Sequence, residues 1–179
     1  HSRGLTDASY RDGGSPNNDT LYSLAWLDLA REPIIISVPD TGERYRTMQM
    51  ASLDGDNFAY VGTLTTGNGA GRYLLAGSGW SGEVPAGITD VLRSETDFIF
   101  NVTRTQLFGP DDLENVEEIQ GQYRLEPLSA FLGEKAPTVT ALPDFPEWDE
   151  GSQFDERFFG YLDFVMDLLG KPGPGEGAL

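Results

Sequence analysis

From Thr20 to Phe108 the chain is a succession of short runs, alternating or β-branched, each closed by glycine, proline, asparagine or aspartate. Alternation with period two marks strands, and turn residues at such close intervals leave little room for the helices that link parallel strands. The runs are TLYSLAWLDL (20–29), IIISV (34–38), RYRTMQMAS (44–52), FAYVGTLTT (58–66), RYLLAG (72–77) and DFIFNVTRTQLF (97–108). They predict a mainly β protein, an antiparallel β-sandwich or barrel rather than a doubly wound α/β sheet. In the first run Leu21, Ser23, Ala25, Leu27 and Leu29 share one side, while Tyr22, Leu24, Trp26 and Asp28 share the other. Both sides are substantially apolar, which predicts a strand covered on both faces. Pro39-Asp40-Thr41-Gly42 follows IIISV with hairpin chemistry, so the second and third runs are expected to pair across it.

Two helices complete the expected architecture. DDLENVEEIQGQY places Leu113, Val116, Ile119 and Tyr123 on one stripe and Asp111, Asp112 and Glu114 in the first turn, where the helix dipole favours them. This predicts a surface helix laid on the sheet. Residues 133–151 contain three prolines and read as an extended strap. A C-terminal aromatic-rich helix is expected over 152–170, with Ser152 as N-cap, Asp155 as its capping-box partner and Gly170 as its stop. The division is then a β-rich domain over 1–132, the strap, the helix, and a linker-like tail over 171–179.

Phe154, Phe158, Phe159, Tyr161, Leu162, Phe164, Val165, Met166, Leu168 and Leu169 give that last helix more apolar surface than one stripe hides. Burying a large side chain is worth about 1.5–3 kcal/mol. The helix is therefore expected to pack against protein outside this sequence, a downstream domain or another subunit, which favours a homo-oligomer.

Composition narrows the chemistry. The chain has no cysteine and a single histidine, His1, so disulfides, thiolate zinc sites and thiol nucleophiles are excluded. A Ser-His-Asp triad would have to recruit His1. No metal site and no cofactor is expected. A net charge of −17, with ten arginines and only Lys135 and Lys171 as lysines, repels nucleic acid and anionic membranes. It fits a protein adapted to salt, or an ordinary acidic secreted one. No stretch approaches the length of a membrane-spanning helix. A start without methionine fits a processed chain or a fragment.

SPNNDTLY, PDTGERYRTMQM, VGTLTTGNGAGRYLLAG and NVTRTQLFGPDDLENVEEIQGQYRLEPLS, in this order, resemble the family catalogued as domain of unknown function 1254. The resemblance covers about residues 3–132. It rests on Asn17-Asn18-Asp19-Thr20 with Tyr22, Asp28, Arg44-Tyr45, Thr66-Gly67, Arg104-Thr105 and Gly109-Pro110-Asp111-Asp112. It implies a β-rich fold and often an exported protein, extracellular or periplasmic, with no established reaction. Longer members continue through the strap and aromatic helix into a β-rich domain of unknown function 1214, which this sequence does not contain. A helical segment that precedes the domain in the family is also missing, and any site formed between the two domains would be half present.

Candidate site residues begin with SPNNDTLY. Asn and Asp close Asx-turns, so the motif launches a strand. It also offers the amides of Asn17 and Asn18, a base or ligand anchor in Asp19, and a hydroxyl-bearing wall in Tyr22. A strand regular from Asp19 would turn Asp19 and Tyr22 to opposite faces. Arg44 and Arg104 are the principal cations, each read as lying within a strand, with Asp28 as the expected carboxylate partner. An arginine left unpaired in a pocket would select a carboxylate or other oxyanion. The catalytic set is then Asp19, Tyr22, Arg44 and Arg104, and the ligand-binding set Asn17, Asn18, Asp28 and Thr66.

Other motifs read as local structure. DGDN (54–57) lacks the ordered oxygen ligands and closing glutamate of a calcium loop, and GTLTTGNGAG lacks the lysine of a phosphate loop. The glycosylation sequons at Asn18 and Asn101 match a pattern common by chance. Three functions fit: an exported β-domain binding a small polar or anionic ligand or a protein partner; a metal-independent hydrolase or lyase using Asp19 with Asp28 or Asp56, Tyr22 and an arginine; and a structural assembly subunit.

Overall fold

The computed structural model describes residues 1, 2, 9, 17–138 and 143–169. The expected tail over 171–179, Gly170 as helix stop, strap residues 139–142 and the Ser15-Pro16 start of SPNNDTLY lie outside the described residues. The chain divides into two compact units, His1–Pro137 and Thr138–Leu179.

The first unit is mainly β, as the alternation predicts, and holds two four-stranded sheets. One sheet runs β1 (Thr20–Asp28), β7 (Phe98–Gln106), β3 (Arg46–Ser52), β4 (Asn57–Gly62), with every neighbouring pair antiparallel. The other runs β6 (Asp90–Arg93), β5 (Gly71–Ala76), β2 (Ile34–Val38), β8 (Arg124–Pro127). Leu27, Ile36, Val38, Met48, Met50, Tyr73, Leu75 and Ile99 belong to one buried cluster, so the inner faces of both sheets share a core.

Three features depart from the sequence reading. Pro39–Gly42 does not close a hairpin: β2 pairs with β5 and β8, and the chain then crosses to the other sheet to form β3. Gly42 takes φ 59° there, and Thr41 donates its N–H to the carbonyl of Asn68 at 3.0 Å, so this turn is tied to a distant loop. Secondly, β5 and β6 are parallel, an exception to the antiparallel expectation; residues 77–89 supply a crossover without a helix. Thirdly, β1 is covered on one face only. It is an edge strand whose outward Leu24 and Trp26 are exposed, Trp26 at 66 %. The ring of Trp26 stacks on Phe100 of β7 at 4.7 Å between centroids, giving that face a partly apolar surface of its own.

β4 ends at Gly62, short of the run expected to reach Thr66. Gly62 has φ 152°, and its carbonyl accepts the N–H groups of Thr65, Thr66 and Gly67, so 62–67 folds into a turn. A Cβ at Gly62 would stand 2.2 Å from the Arg46 carbonyl, so only glycine lets β3 and β4 close here.

The first helix follows a 3-10 turn at Pro110–Asp112. Its α-helical part, α1 (Leu113–Gln120), buries Val116 and Gln120. A short helix α2 (Leu128–Leu132) follows β8, where Glu32 accepts both the N–H and the hydroxyl of Ser129, at 2.6 and 3.0 Å.

In the second unit the helix starts later than the capping pattern predicts. Ser152 is buried in a 3-10 turn, Glu150–Phe154, and bonds the Asp149 carbonyl. The α-helix α3 spans Arg157–Leu169, with Asp155 accepting the Arg157 N–H at 2.9 Å and its guanidinium at 2.7 Å. Strap residues lie along it: Phe145 meets Phe164 at 5.4 Å, Trp148 meets Tyr161 at 5.0 Å, and the Tyr161 hydroxyl donates to the Glu147 carbonyl. No described residue of α3 is buried.

Candidate functional site

The Asn17 side chain does two things at once. Its Oδ1 accepts the N–H groups of Asp19 and Thr20 at 2.7 and 3.2 Å, the Asx-turn that launches β1. Its Nδ2 donates to the Thr20 hydroxyl at 2.8 Å and to the Tyr22 hydroxyl at 3.1 Å. Because β1 and β7 pair with Tyr22 opposite Arg104, these two side chains stand together on the outer face of the sheet. Arg104 Nε donates to the Tyr22 hydroxyl at 3.4 Å, and its guanidinium lies 5.2 Å from the Tyr22 ring centre. Nη1 of Arg104 donates to Gln49 Oε1 at 3.3 Å.

Among the described residues Arg104 makes no salt bridge; the arginines paired with carboxylates are Arg31, Arg44 and Arg157. The hydrogen bond from Arg104 lowers the pKa of the Tyr22 phenol below its ordinary value, against a smaller opposing effect of burial and with help from Asn17. Next to Arg104, Tyr45, Thr47, Tyr60, Leu64 and Thr65 complete the lining of a depression of about 320 Å³. The site is thus a cation in a depression lined by aromatic and hydroxyl-bearing side chains, and no carboxylate is among its described lining residues.

The structure therefore brings together Asn17, Tyr22 and Arg104. Other sequence-derived candidates lie elsewhere. Asn18 and Asp19 are exposed in the bend before β1, and the Asp19 carbonyl accepts the Leu107 N–H at 2.9 Å. Asp28 does not serve Arg44 or Arg104. It pairs with Arg31 at 3.1 Å and accepts the Ala30 N–H, six residues and about 20 Å along the strand from Tyr22 at 3.3 Å per residue. Thr66 uses its hydroxyl to accept the Gly62 N–H at 3.0 Å, within the turn that carries Leu64 and Thr65 to the depression. DGDN forms the β3–β4 turn, with Gly55 at φ 95° and its N–H on the Ser52 carbonyl.

Arg44 precedes β3 rather than lying in it, and its partner is Asp112. Nη1 and Nη2 reach the two carboxylate oxygens at 2.5 and 2.8 Å, Nη1 also donates to the Gln106 carbonyl, and the Phe108 ring lies 4.5 Å away. Asp112 further accepts the Phe108 N–H and an Asn115 amide hydrogen, at 2.9 and 3.0 Å. The Arg44 hydrogen bonds hold the Asp112 carboxyl well below the usual carboxylate range. Arg44 is committed to this junction.

Sequence reasoning passed over Gln49, Tyr60 and Arg46. Gln49 and Tyr60 are paired across β3 and β4, facing outward beside Arg104, but that register is invisible before pairing is known. Arg46 alternates with Met48 and Met50, the signal from which an inward-facing position could have been read. It is fully buried, donates Nη2 to the Gly69 carbonyl at 2.8 Å, and among the described residues leaves Nε and Nη1 without partners. Burial lowers its pKa from the ordinary arginine value. Among the described residues no group of three His, Cys, Asp or Glu side chains could hold a metal ion, and no helix is long and apolar enough to cross a membrane.

Comparison with known families decides the relationship: the family described as a protein of unknown function, DUF1254, matches residues 1–127. The chain belongs to the DUF1254 family. Among solved structures, this DUF1254 chain is similar to the VPA0106 protein from Vibrio parahaemolyticus, with 26 % identity and a TM-score of 0.68. That match covers 89 % of the DUF1254 chain and 44 % of VPA0106, so the chain spans less than half the length of that protein. No curated protein matches it.

Proposed function

We propose that this domain binds a small molecule bearing a carboxylate or another oxyanion, in the depression beside Arg104. The observation that carries the reading is a guanidinium held by two neutral groups, Tyr22 and Gln49, with no carboxylate in the lining. A planar cation presented in this way recognises an oxyanion by paired hydrogen bonds. Tyr45 and Tyr60 give the ligand an apolar or aromatic body to rest against. A binding role fits better than hydrolysis: Asp28 is engaged with Arg31 at the far end of β1, and Asp56 lies in the β3–β4 turn.

Isothermal titration with benzoate as the probe tests this. Saturable binding that Arg104→Met abolishes, with melting temperature preserved, is the expected result. Equal heats from wild type and the variant overturn it.

A second reading rests on α3, where Phe158, Phe159, Leu162 and Met166 are all exposed. A helix with so much bare apolar surface favours association with further protein, another copy of this chain or a neighbouring domain. Light scattering at micromolar concentration distinguishes a monomer from an assembly. Export to the periplasm or the cell exterior belongs to the same proposal, supported by the family resemblance.

A further inference from the structure

The inner face of the same strand pair holds a second cavity, of about 200 Å³. It lies between the two sheets. Ser23 of β1, Asn101 and Thr103 of β7, Met48 of β3 and Ile36 of β2 line it, with Tyr123 just before β8. Sheet order explains why it opens there. β4 and β6, the edge strands on one side, touch each other, while β1 and β8 are the edges on the opposite side. The cavity occupies the gap between those two edges.

Ser23, Thr103 and Tyr123 each have a hydrogen-bond partner, whereas the amide of Asn101 has only weak ones among the described residues. Asn101 is 5 % exposed, and its Oδ1 accepts the Thr103 hydroxyl at 2.9 Å. Among the described residues its amide hydrogens reach the Met50 thioether sulfur at 3.1 Å and the Gln49 carbonyl at 3.4 Å. A thioether is a weak acceptor and the second bond is long, so a buried amide donor faces the cavity short of a good acceptor. Such a donor carries a desolvation penalty that an added acceptor removes. Met48 and Ile36 supply apolar walls; His1, its Nδ1 2.6 Å from the Ser23 hydroxyl, and Arg124, its guanidinium on the Gly121 and Tyr123 carbonyls, add to the polar lining, and no carboxylate is among the described lining residues.

We infer that this inter-sheet cavity binds a small neutral molecule with an apolar body and one carbonyl or ether oxygen, the oxygen accepting from Asn101 Nδ2. A cavity of about 150 Å³ admits a benzene ring, so the space here suits a ring with a short carbonyl substituent. This site is distinct from the Arg104 depression. Adjacent residues of β1 and β7 point to opposite faces, so Tyr22 and Arg104 serve the outside while Ser23 and Thr103 serve the inside.

The test is methyl-observed NMR of the whole chain labelled at methionine and isoleucine, titrated with acetophenone, ethylbenzene and benzoate. Acetophenone is expected to shift the Met48 and Ile36 methyl signals saturably, and to bind roughly five- to ten-fold more tightly than ethylbenzene, the gain from one hydrogen bond. Asn101→Leu is expected to erase that preference. Ala25→Leu, which fills the cavity from β1, is expected to weaken both neutral probes. Unmoved Met48 and Ile36 signals at millimolar probe overturn the inference. So do equal affinities for acetophenone and ethylbenzene in the wild type, or benzoate moving the Met48 and Ile36 signals at as low a concentration as acetophenone does; these wild-type readings hold even where a variant fails to fold.

Discussion

Asp112→Asn removes one charge and little volume from the junction between α1 and the chain entering β3. In the wild type the carboxylate accepts two hydrogen bonds from Arg44, one from the Phe108 N–H and one from Asn115. The side chains of Arg44 and Asp112 are 9 % and 14 % exposed, so water compensates poorly for a lost partner. Asparagine keeps a single acceptor oxygen and turns an amide towards a guanidinium left without its counter-charge. Breaking a buried ion pair from one side costs about 3–5 kcal/mol, and an exposed pair contributes at most about 1 kcal/mol. The remaining exposure places this pair near the lower end of the buried range, about 3 kcal/mol. At roughly 2–4 °C per kcal/mol for a chain of this size, melting falls by about 6–12 °C.

The dependence on pH follows from the same geometry. Arg44 lowers the Asp112 pKa in the folded state, so the unfolded chain binds more protons there at acid pH. The stabilisation is complete above the ordinary carboxylate pKa of about 4 and is lost as pH falls below it. Urea melts of wild type and Asp112→Asn should therefore differ most at neutral pH and converge in acid. A difference below about 1 kcal/mol, the value of a solvated surface pair, refutes the reasoning. So does a difference that does not shrink with acidification.

Gly62→Ala forces a Cβ against the Arg46 carbonyl and should cost about 2–4 kcal/mol in chemical denaturation, summing overpacking and backbone strain. Gly67→Ala, at φ 82° with open space around it, should cost about 1 kcal/mol, and equal losses would contradict the steric account. In ultraviolet titration the phenol of Tyr22, isolated by difference against Tyr22→Phe, should ionise below an ordinary tyrosine, and Arg104→Met should raise it. No change on losing Arg104 would remove the coupling between them. Phe159→Asp on α3 should leave stability within about 0.5 kcal/mol, since the ring is exposed, while shifting any self-association seen by sedimentation towards monomer.

The strand content was legible because TLYSLAWLDL, RYRTMQMAS and FIFNVTRTQ carry the period of two in their own side chains. Partnership was not. Pro39-Asp40-Thr41-Gly42 has the residues of a hairpin, yet Asn68 and the core positions of β2 draw the chain across to the second sheet. RLEP and DVLR are too short and polar to announce β8 and β6, which exist because β2 and β5 offer them backbone partners. Trp26 and Leu24 suggested a covered face, whereas the tryptophan finds its contact laterally in Phe100. At the site, the link between Asn17 and Tyr22 is local and could be anticipated. The meeting of Tyr22, Arg104 and Gln49 depends on the register of three strands distant in sequence. The same limit hid Asp112: nothing in the sequence ties it to Arg44 until α1 is seated.

The pairing of β1 with β7 fixes Tyr22 against Arg104 and Ser23 against Thr103 in consecutive rungs. Two chambers therefore share one party wall, and their furnishings alternate along it. Losing one residue from β7 between Asn101 and Arg104 would turn one of these two strand segments inside out, sending the guanidinium into the core and a threonine into solvent. The wall can exchange side chains one at a time, but it cannot change length without dismantling both rooms.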